Sequence, residues 1–294
     1  MWKAGVVVRH LLELETGAEP FRDYRLLRVL GRGGYADVWE STSPNGSNVA
    51  LKFMRVDDAH AAAQEVRAIQ AMKMFHHPHL IQLHEVWSIP GYVVISMELA
   101  EGSLQDLLEA YYSEYNTAIL QERVCHYLTQ VAEAIDFLNC KQHTLNGHRV
   151  AFVHGDIKPS NMLIFGETIK LADFGMSTPV ITSRCHRAPV GTPEFAAPEI
   201  FQGWIADRTD QFSLAASYCL LRGGKLPYSD TPLTFREPYT RPKPNLTMLP
   251  EEERPIIAKG LATAPQDRWL NCTAMLSALC DLSGYSDTAV AMAN

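Results

Sequence analysis

Between Tyr24 and Glu98 the apolar positions fall in short runs of strand-forming residues broken by turn signals. Tyr24 to Leu30 is one such run, and it ends in a glycine turn. Val38-Trp39-Glu40 resumes the strand, Ser43-Pro44-Asn45-Gly46 reads as a hairpin turn, and Val49 to Met54 is the next strand. Asp57 or Asp58 then caps an alanine-rich helix reaching about Met74. Val66, Ile69 and Met72 or Lys73 approximate its buried i, i+3, i+7 stripe, and His77-Pro78 ends it. Leu80 to Trp87 and Tyr92 to Met97 complete a small sheet. Beyond Glu98 the apolar spacing is mainly helical, most clearly over Leu104–Ala110, Val124–Leu138, Gln211–Leu221 and Glu251–Leu261. A strand-rich first part followed by a helical remainder predicts an α+β architecture.

Composition narrows the function classes. A chain of 294 residues is long for one core, so two packed lobes are expected. A formal net charge of -7 argues against general nucleic-acid binding, which draws most of its affinity from basic surface. No apolar run reaches the length that spans a bilayer. The start, Met1 to Val8, is interrupted by Arg9 and His10 with no small-residue cleavage site, so no signal peptide is expected. The six cysteines are scattered without CxxC spacing and read as reduced thiols in a cytoplasmic protein. His76-His77-Pro78-His79 invites a metal reading, but no further ligands follow at zinc spacing.

Candidate chemistry comes from six motifs in order: Gly31-Arg32-Gly33, Val49-Ala50-Leu51-Lys52, Glu65, His154-Gly155-Asp156, Asp173-Phe174-Gly175 and Ala197-Pro198-Glu199. Glycines between two strands let backbone N–H groups approach a phosphate tail. A lysine ending an apolar strand offers a point-charge ammonium for phosphate. The run His154 to Asn161 places an aspartate, a lysine and an asparagine in one loop, a set suited to proton handling, charge neutralisation and Mg²⁺ ligation. Together these motifs resemble the protein kinase family, most closely the bacterial serine/threonine kinases of eukaryotic type, from about Tyr24 to about Leu282.

The resemblance implies a bilobal fold: an N-terminal extension over 1–22, a β-rich N-lobe with one main helix over 23–98, a mainly helical C-lobe over 99–284 and a tail over 285–294. It implies ATP and Mg²⁺ as cofactors and a protein Ser/Thr hydroxyl as acceptor, the chain itself included. Lys52 would bind the α- and β-phosphates with Glu65 holding it, and Gly31 and Gly33 would cover them. Val38, Ala50 and Leu163 would line the adenine pocket, Met97 would be the gatekeeper, Glu98 and Ala100 would pair with the adenine edge, and Ser103 would reach the ribose. Asp156 would take or orient the proton of the attacking hydroxyl, Lys158 would neutralise the moving phosphate, and Asn161 and Asp173 would ligate the metal. Lys158, and Thr192 bracing it with Asp156, match the serine/threonine branch. Ile69, Leu83, His154 and Phe174 resemble a regulatory spine, Glu199 is expected to pair with Arg268, and Asp210 to cap its helix and hold the His-Gly-Asp turn.

The chain departs from the family in three places. Ala36 replaces the third glycine of the first loop. Gly155 stands where many kinases have the arginine that receives an activation-loop phosphate, so phosphorylation at Ser177, Thr178, Thr182 or Ser183 is not expected to be required. Ser229 to Pro250 carries Pro232, Pro238, Pro242, Pro244 and Pro250 where the family has a substrate-facing helix, which permits at most a short one and implies a reduced docking surface. The competing readings are a pseudokinase scaffold, which loss of Lys52, Asp156 or Asp173 would have favoured, and a small-molecule phosphotransferase, against which Gly191-Thr192-Pro193-Glu194-Phe195 argues.

Overall fold

The computed structural model describes residues 12, 14–34, 36–56, 63, 66, 69, 70, 73, 75–145, 147–173, 177–180, 184–186, 191–236 and 239–282. The chain divides into two compact units, Met1–His76 with Ile81–Ala100, and His77–Leu80 with Glu101–Asn294. A strand-rich first unit and a mainly helical second unit make the fold α+β.

The smaller unit is built on a five-stranded antiparallel sheet. Its strands are β1 (Arg25–Arg32), β2 (Ala36–Thr42), β3 (Asn48–Arg55), β4 (Leu83–Ile89) and β5 (Tyr92–Met97), in the order β1-β2-β3-β5-β4. The hairpin turn between β2 and β3 forms where the sequence places it, closed by the Gly46 N–H donating to the Ser43 carbonyl at 2.8 Å with Gly46 at φ 86°. Strand alternation sends Trp39, Val49, Leu51, Phe53 and Val94 into one apolar cluster with Tyr24, Leu26, Trp87 and Tyr92. Leu12 and Leu14 pack on that cluster, and the Gly17 and Leu26 N–H groups donate to the Leu26 and Ala18 carbonyls at 2.8 and 2.9 Å. The segment before β1 therefore covers one edge of the sheet. Ala63, Val66, Ile69 and Gln70 are helical, as the periodicity predicts, and Ile69 is buried. The expected cap, Asp57 or Asp58, and Met72 and Met74 lie outside the described residues.

Strand β4 starts at Leu83 rather than at Leu80. Leu80 instead forms a parallel bridge with Leu171, and the Leu171 N–H donates to the His79 carbonyl at 2.9 Å, which ties His77–Leu80 to the larger unit. The larger unit centres on helix α2 (Gln121–Asn139), which buries Val124, Leu128, Val131, Ile135 and Leu138 along one face. Before it lies α1 (Leu104–Tyr115), and after it α3 (Pro198–Phe201), α4 (Thr209–Gly223), α5 (Arg254–Gly260) and α6 (Cys272–Leu282). α6 is absent from the sequence-based expectation. Its first turn is held from a distance: the Asp136 carboxylate accepts from the N–H groups of Cys272 and Thr273 at 2.8 and 2.9 Å. The helix expected over Glu251–Leu261 begins only at Arg254, with Pro255 in its first turn.

The larger unit also carries short strands that the helical spacing hides. They are β6 (Gly102–Ser103), β7 (His143–Leu145), β8 (His148–Val153), β9 (Met162–Phe165), β10 (Thr168–Leu171), β11 (Thr178–Val180), β12 (Arg184–His186) and β13 (Trp204–Ala206). They form small sheets ordered β10-β9-β6, β11-β8-β7 and β12-β13, each placing a loop of the site described next. The described residues between Ser229 and Pro250 form no helix, as proline at that density dictates.

Candidate active site

In the larger unit β8 delivers the chain to His154, which is fully buried, and the turn that follows is fixed by its backbone. Asp210 accepts from the His154 N–H at 2.7 Å and from the Gly155 N–H at 2.9 Å. The expectation that Asp210 caps its helix is corrected here. α4 starts at Thr209, its N-cap Arg208 makes no side-chain cap bond, and Asp210 lies inside the first turn with its carboxylate spent on the turn. Burial pushes the Asp210 carboxyl up from the usual aspartate value, opposed by His154 and the two N–H donors. His154 accepts at Nδ1 from the Asp156 N–H at 3.2 Å and donates from Nε2 to the Ala172 carbonyl at 3.0 Å, which fixes its tautomer.

Four polar side chains converge after that turn. The Thr192 hydroxyl donates to Asp156 Oδ1 at 2.7 Å and accepts from Lys158 Nζ at 2.7 Å. Lys158 Nζ lies 2.9 Å from Asp156 Oδ2, and Asn161 Nδ2 donates to Asp156 Oδ2 at 3.1 Å and to the Asp156 carbonyl at 2.8 Å. Every carboxylate oxygen of Asp156 therefore has a donor, and the side chain is held in one orientation with little exposure. Close approach requires two glycines: Gly155 sits at φ 83° and Gly191 at φ 92°, and a Cβ on Gly191 would come within 2.3 Å of the Gly155 carbonyl oxygen.

The smaller unit gathers its predicted residues on one sheet face. Val38 pairs with Lys52, Lys52 with Ile95, and Ala50 with Met97, so Val38, Ala50, Lys52 and Met97 share the face opposite the apolar cluster. Gly31 pairs with Val38, and the Gly33 N–H donates to the Ala36 carbonyl at 2.8 Å to close the β1–β2 turn. Glu98 follows β5, and its N–H donates to the Gln82 carbonyl at 3.3 Å. In the larger unit Leu163 pairs with Ser103 across β9 and β6. Ser103, expected at the ribose, caps α1: its hydroxyl donates to Asp106 Oδ2 at 2.7 Å and accepts from the Asp106 N–H at 3.3 Å. Glu65 and the Phe174-Gly175 pair lie outside the described residues.

The Protein kinase domain family matches residues 24–278. The chain belongs to the protein kinase family. Among its relatives, the serine/threonine-protein kinase PknF of Mycobacterium tuberculosis is 30% identical over 281 residues, covering 88% of this chain and 56% of that protein. The NUAK family SNF1-like kinase 2 of Rattus norvegicus is 31% identical over 212 residues, covering 70% of this chain and 31% of the relative. CBL-interacting protein kinase 4 of Oryza sativa is 30% identical over 220 residues, covering 71% of this chain and 46% of the relative. The chain thus spans about half or less of the length of these relatives.

Two arginines complete the loops and were not legible as site residues. Arg55, at the end of β3, reaches back to the glycine turn, donating to the Gly33 and Gly34 carbonyls at 3.4 and 3.3 Å and to Asp37 Oδ2 at 2.6 Å. Arg241, in the proline-rich stretch, donates to carbonyls of the segment after Thr192. The pairing of Glu199 with Arg268 forms as expected, bidentate at 2.7 and 2.7 Å between side chains with no exposure. The histidine-rich turn is structural: His79 Nδ1 donates to the Ile169 carbonyl at 3.0 Å, and His77 stacks on Phe137 at 5.0 Å between centroids. Among the described residues no group of three or more His, Cys, Asp or Glu side chains converges as a metal cage.

The side-chain oxygens of Asn161 and Asp173 are of the kind a hard divalent cation takes. Because the Asn161 amide nitrogen is committed to Asp156, the amide oxygen is turned away from it. The Ala172 N–H donates to the Asn161 carbonyl at 2.9 Å, which brings Asp173, at φ 68°, into the neighbourhood of Asn161. An amide oxygen and a carboxylate are the oxygen ligands Mg²⁺ takes.

Proposed function

We propose that the chain transfers the γ-phosphoryl group of ATP to Ser/Thr hydroxyls of protein substrates, itself included, with Mg²⁺ as the cation. The observation that carries this reading is the Asp156–Thr192–Lys158 triangle, with Asn161 fixed to the same aspartate. Asp156 receives or orients the proton of the incoming hydroxyl, since its carboxylate is the one base held at the centre of the cluster. Lys158, anchored by Thr192, neutralises charge on the moving phosphoryl group. Lys52 of the smaller unit binds the α- and β-phosphates, with Glu65 as its partner, and Gly31 and Gly33 offer backbone over them. Val38, Ala50, Met97 and Leu163 bound the adenine, and Glu98 and Ala100 address its polar edge. Asn161 and Asp173 hold Mg²⁺, which when bound draws charge from the phosphate oxygens. Ser103, which also caps α1, addresses the ribose.

The acceptor class follows from Lys158 and Thr192 as a unit, which supports serine and threonine over tyrosine. No described helix is long and apolar enough to cross a membrane. Dependence on ATP supports a cytoplasmic place of work, and the net charge of -7 speaks against nucleic acid as partner. The test is transfer of labelled γ-phosphate from Mg·ATP to a generic basic protein and to the chain itself, with the modified residues mapped by mass spectrometry. Label on serine and threonine is the expected outcome. Label confined to tyrosine, or ATP consumed with no protein labelled, overturns the reading.

A further inference from the structure

Arg241 is a cation in an unusual setting. It is 6% exposed in the proline-rich stretch. Its Nη2 donates to the carbonyls of Ala196 at 2.7 Å, of Glu194 at 3.2 Å and of Pro193, while Nε donates to Ala196 at 3.2 Å. Nη1 donates to the Thr231 hydroxyl at 2.6 Å. Four rings surround the guanidinium, with centroids at 4.6 Å for Tyr228, 5.1 Å for Phe201, 5.4 Å for Tyr239 and 5.8 Å for Phe212. Among the described residues all its hydrogen-bond acceptors are neutral oxygens. Taking a cation out of water without a hydrogen-bonded carboxylate is costly, and here ring faces, carbonyl dipoles and the more distant Glu194 charge compensate it. Packing alone does not call for such a cation, since an apolar side chain of similar volume would fill the aromatic cage.

What the cation does is hold backbone. The three carbonyls belong to the segment that begins one residue after Thr192, and Thr192 is the hydroxyl that joins Lys158 to Asp156. The side chain is fixed by Thr231 and the cage on one side and grips the loop on the other, so it limits how far Thr192 can move from the aspartate. We propose that Arg241 is a positioning residue for phosphoryl transfer, clamping Pro193, Glu194 and Ala196 so that Thr192 stays locked onto Asp156 and Lys158. The proposal rests on the kinase reading above.

The test uses the full chain and four variants: Arg241→Met, Arg241→Lys, Thr192→Val and the double Arg241→Lys/Thr192→Val. Lysine keeps the charge but has no planar fork to span several carbonyls. Both Arg241 variants are expected to lower kcat by at least about tenfold, the scale of a displaced catalytic group. The KM for ATP stays within about twofold, since a ground-state nucleotide contact is not touched. The double variant is expected to be no slower than Thr192→Val within about threefold, because both changes break one linkage. Wild-type kcat in Arg241→Lys, or losses that multiply in the double, overturns the proposal while leaving the kinase reading intact. So does loss of nucleotide binding in Arg241→Lys, which would make Arg241 an anchor of the fold alone. A wild type without any transfer sinks the kinase reading itself, and the proposal with it.

Discussion

Replacing Glu199 by glutamine changes charge and almost nothing else, which makes the Glu199–Arg268 pair the sharpest probe of what holds the larger unit together. Both side chains have no exposure, and the two N–H···O bonds between them are 2.7 Å each. Breaking a buried pair by removing one partner costs about 3–5 kcal/mol, mostly the stranded charge. The two sides are not equal, however. Arg268 keeps three carbonyl acceptors after the change, on Ala262, Arg208 and Thr263 at 2.9, 2.9 and 3.4 Å. Glu199 keeps a single hydroxyl donor, Thr209 at 2.8 Å. Glu199→Gln should therefore fall at the low end, about 3 kcal/mol, and Arg268→Met at the high end, about 5 kcal/mol. At roughly 2–4 °C per kcal/mol for a unit of this size, the Tm of the larger unit drops by about 6–12 °C in Glu199→Gln and further in Arg268→Met. Calorimetry of the two single variants reads both numbers. A loss below about 1 kcal/mol in either, or Glu199→Gln being the more damaging, would mean that the buried pair does not hold the larger unit in this way.

Three further outcomes follow from the site. Asn161→Ala should raise the Mg²⁺ concentration for half-maximal transfer by at least about tenfold, and an unchanged Mg²⁺ titration would remove Asn161 from the metal site. Replacing Ser177, Thr178, Thr182 and Ser183 together by alanine should preserve transfer, because Gly155 offers no cation for a loop phosphate; abolished turnover contradicts this. Asp210, raised by burial, contributes stability that is present below the unfolded-state value near pH 4 and is lost as pH rises through its folded-state value. Asp210→Asn removes that component, so the stability of the wild type relative to the variant declines with rising pH, and parallel curves would be inconsistent with it.

The small sheet was readable because its strands are short runs of strand-forming residues bounded by turn signals, and the observed register puts Val38, Ala50, Lys52 and Met97 on one face. The motif order made Asp156, Lys158, Asn161 and Thr192 legible as a group, and the bonds among them match it. What stayed hidden depends on contacts across long stretches of chain. α6 does carry a local start signal, Asn271 accepting from the Ala274 N–H at 2.8 Å, but the rest of its first turn is held by Asp136, well over a hundred positions earlier. Asp210 looks like an N-cap by position, yet the long-range claim of His154 and Gly155 on its carboxylate is the stronger one. Ser103 is the local exception, since its capping-box pattern with Asp106 lies three residues away in the sequence. Arg241 sits among prolines, where composition signals only an absent helix, and its role appears only when the loop from Pro193 to Ala196 is folded against it.

Single-turnover transfer by Asp156→Asn beside the wild type isolates the proposed role of Asp156 as the base of a phosphoryl-transfer centre. Nucleotide affinity should be unchanged while the rate of γ-phosphate transfer falls by about 10²–10⁴-fold. Transfer at the wild-type rate in Asp156→Asn, with the nucleotide bound equally well, would show that Asp156 is not that base.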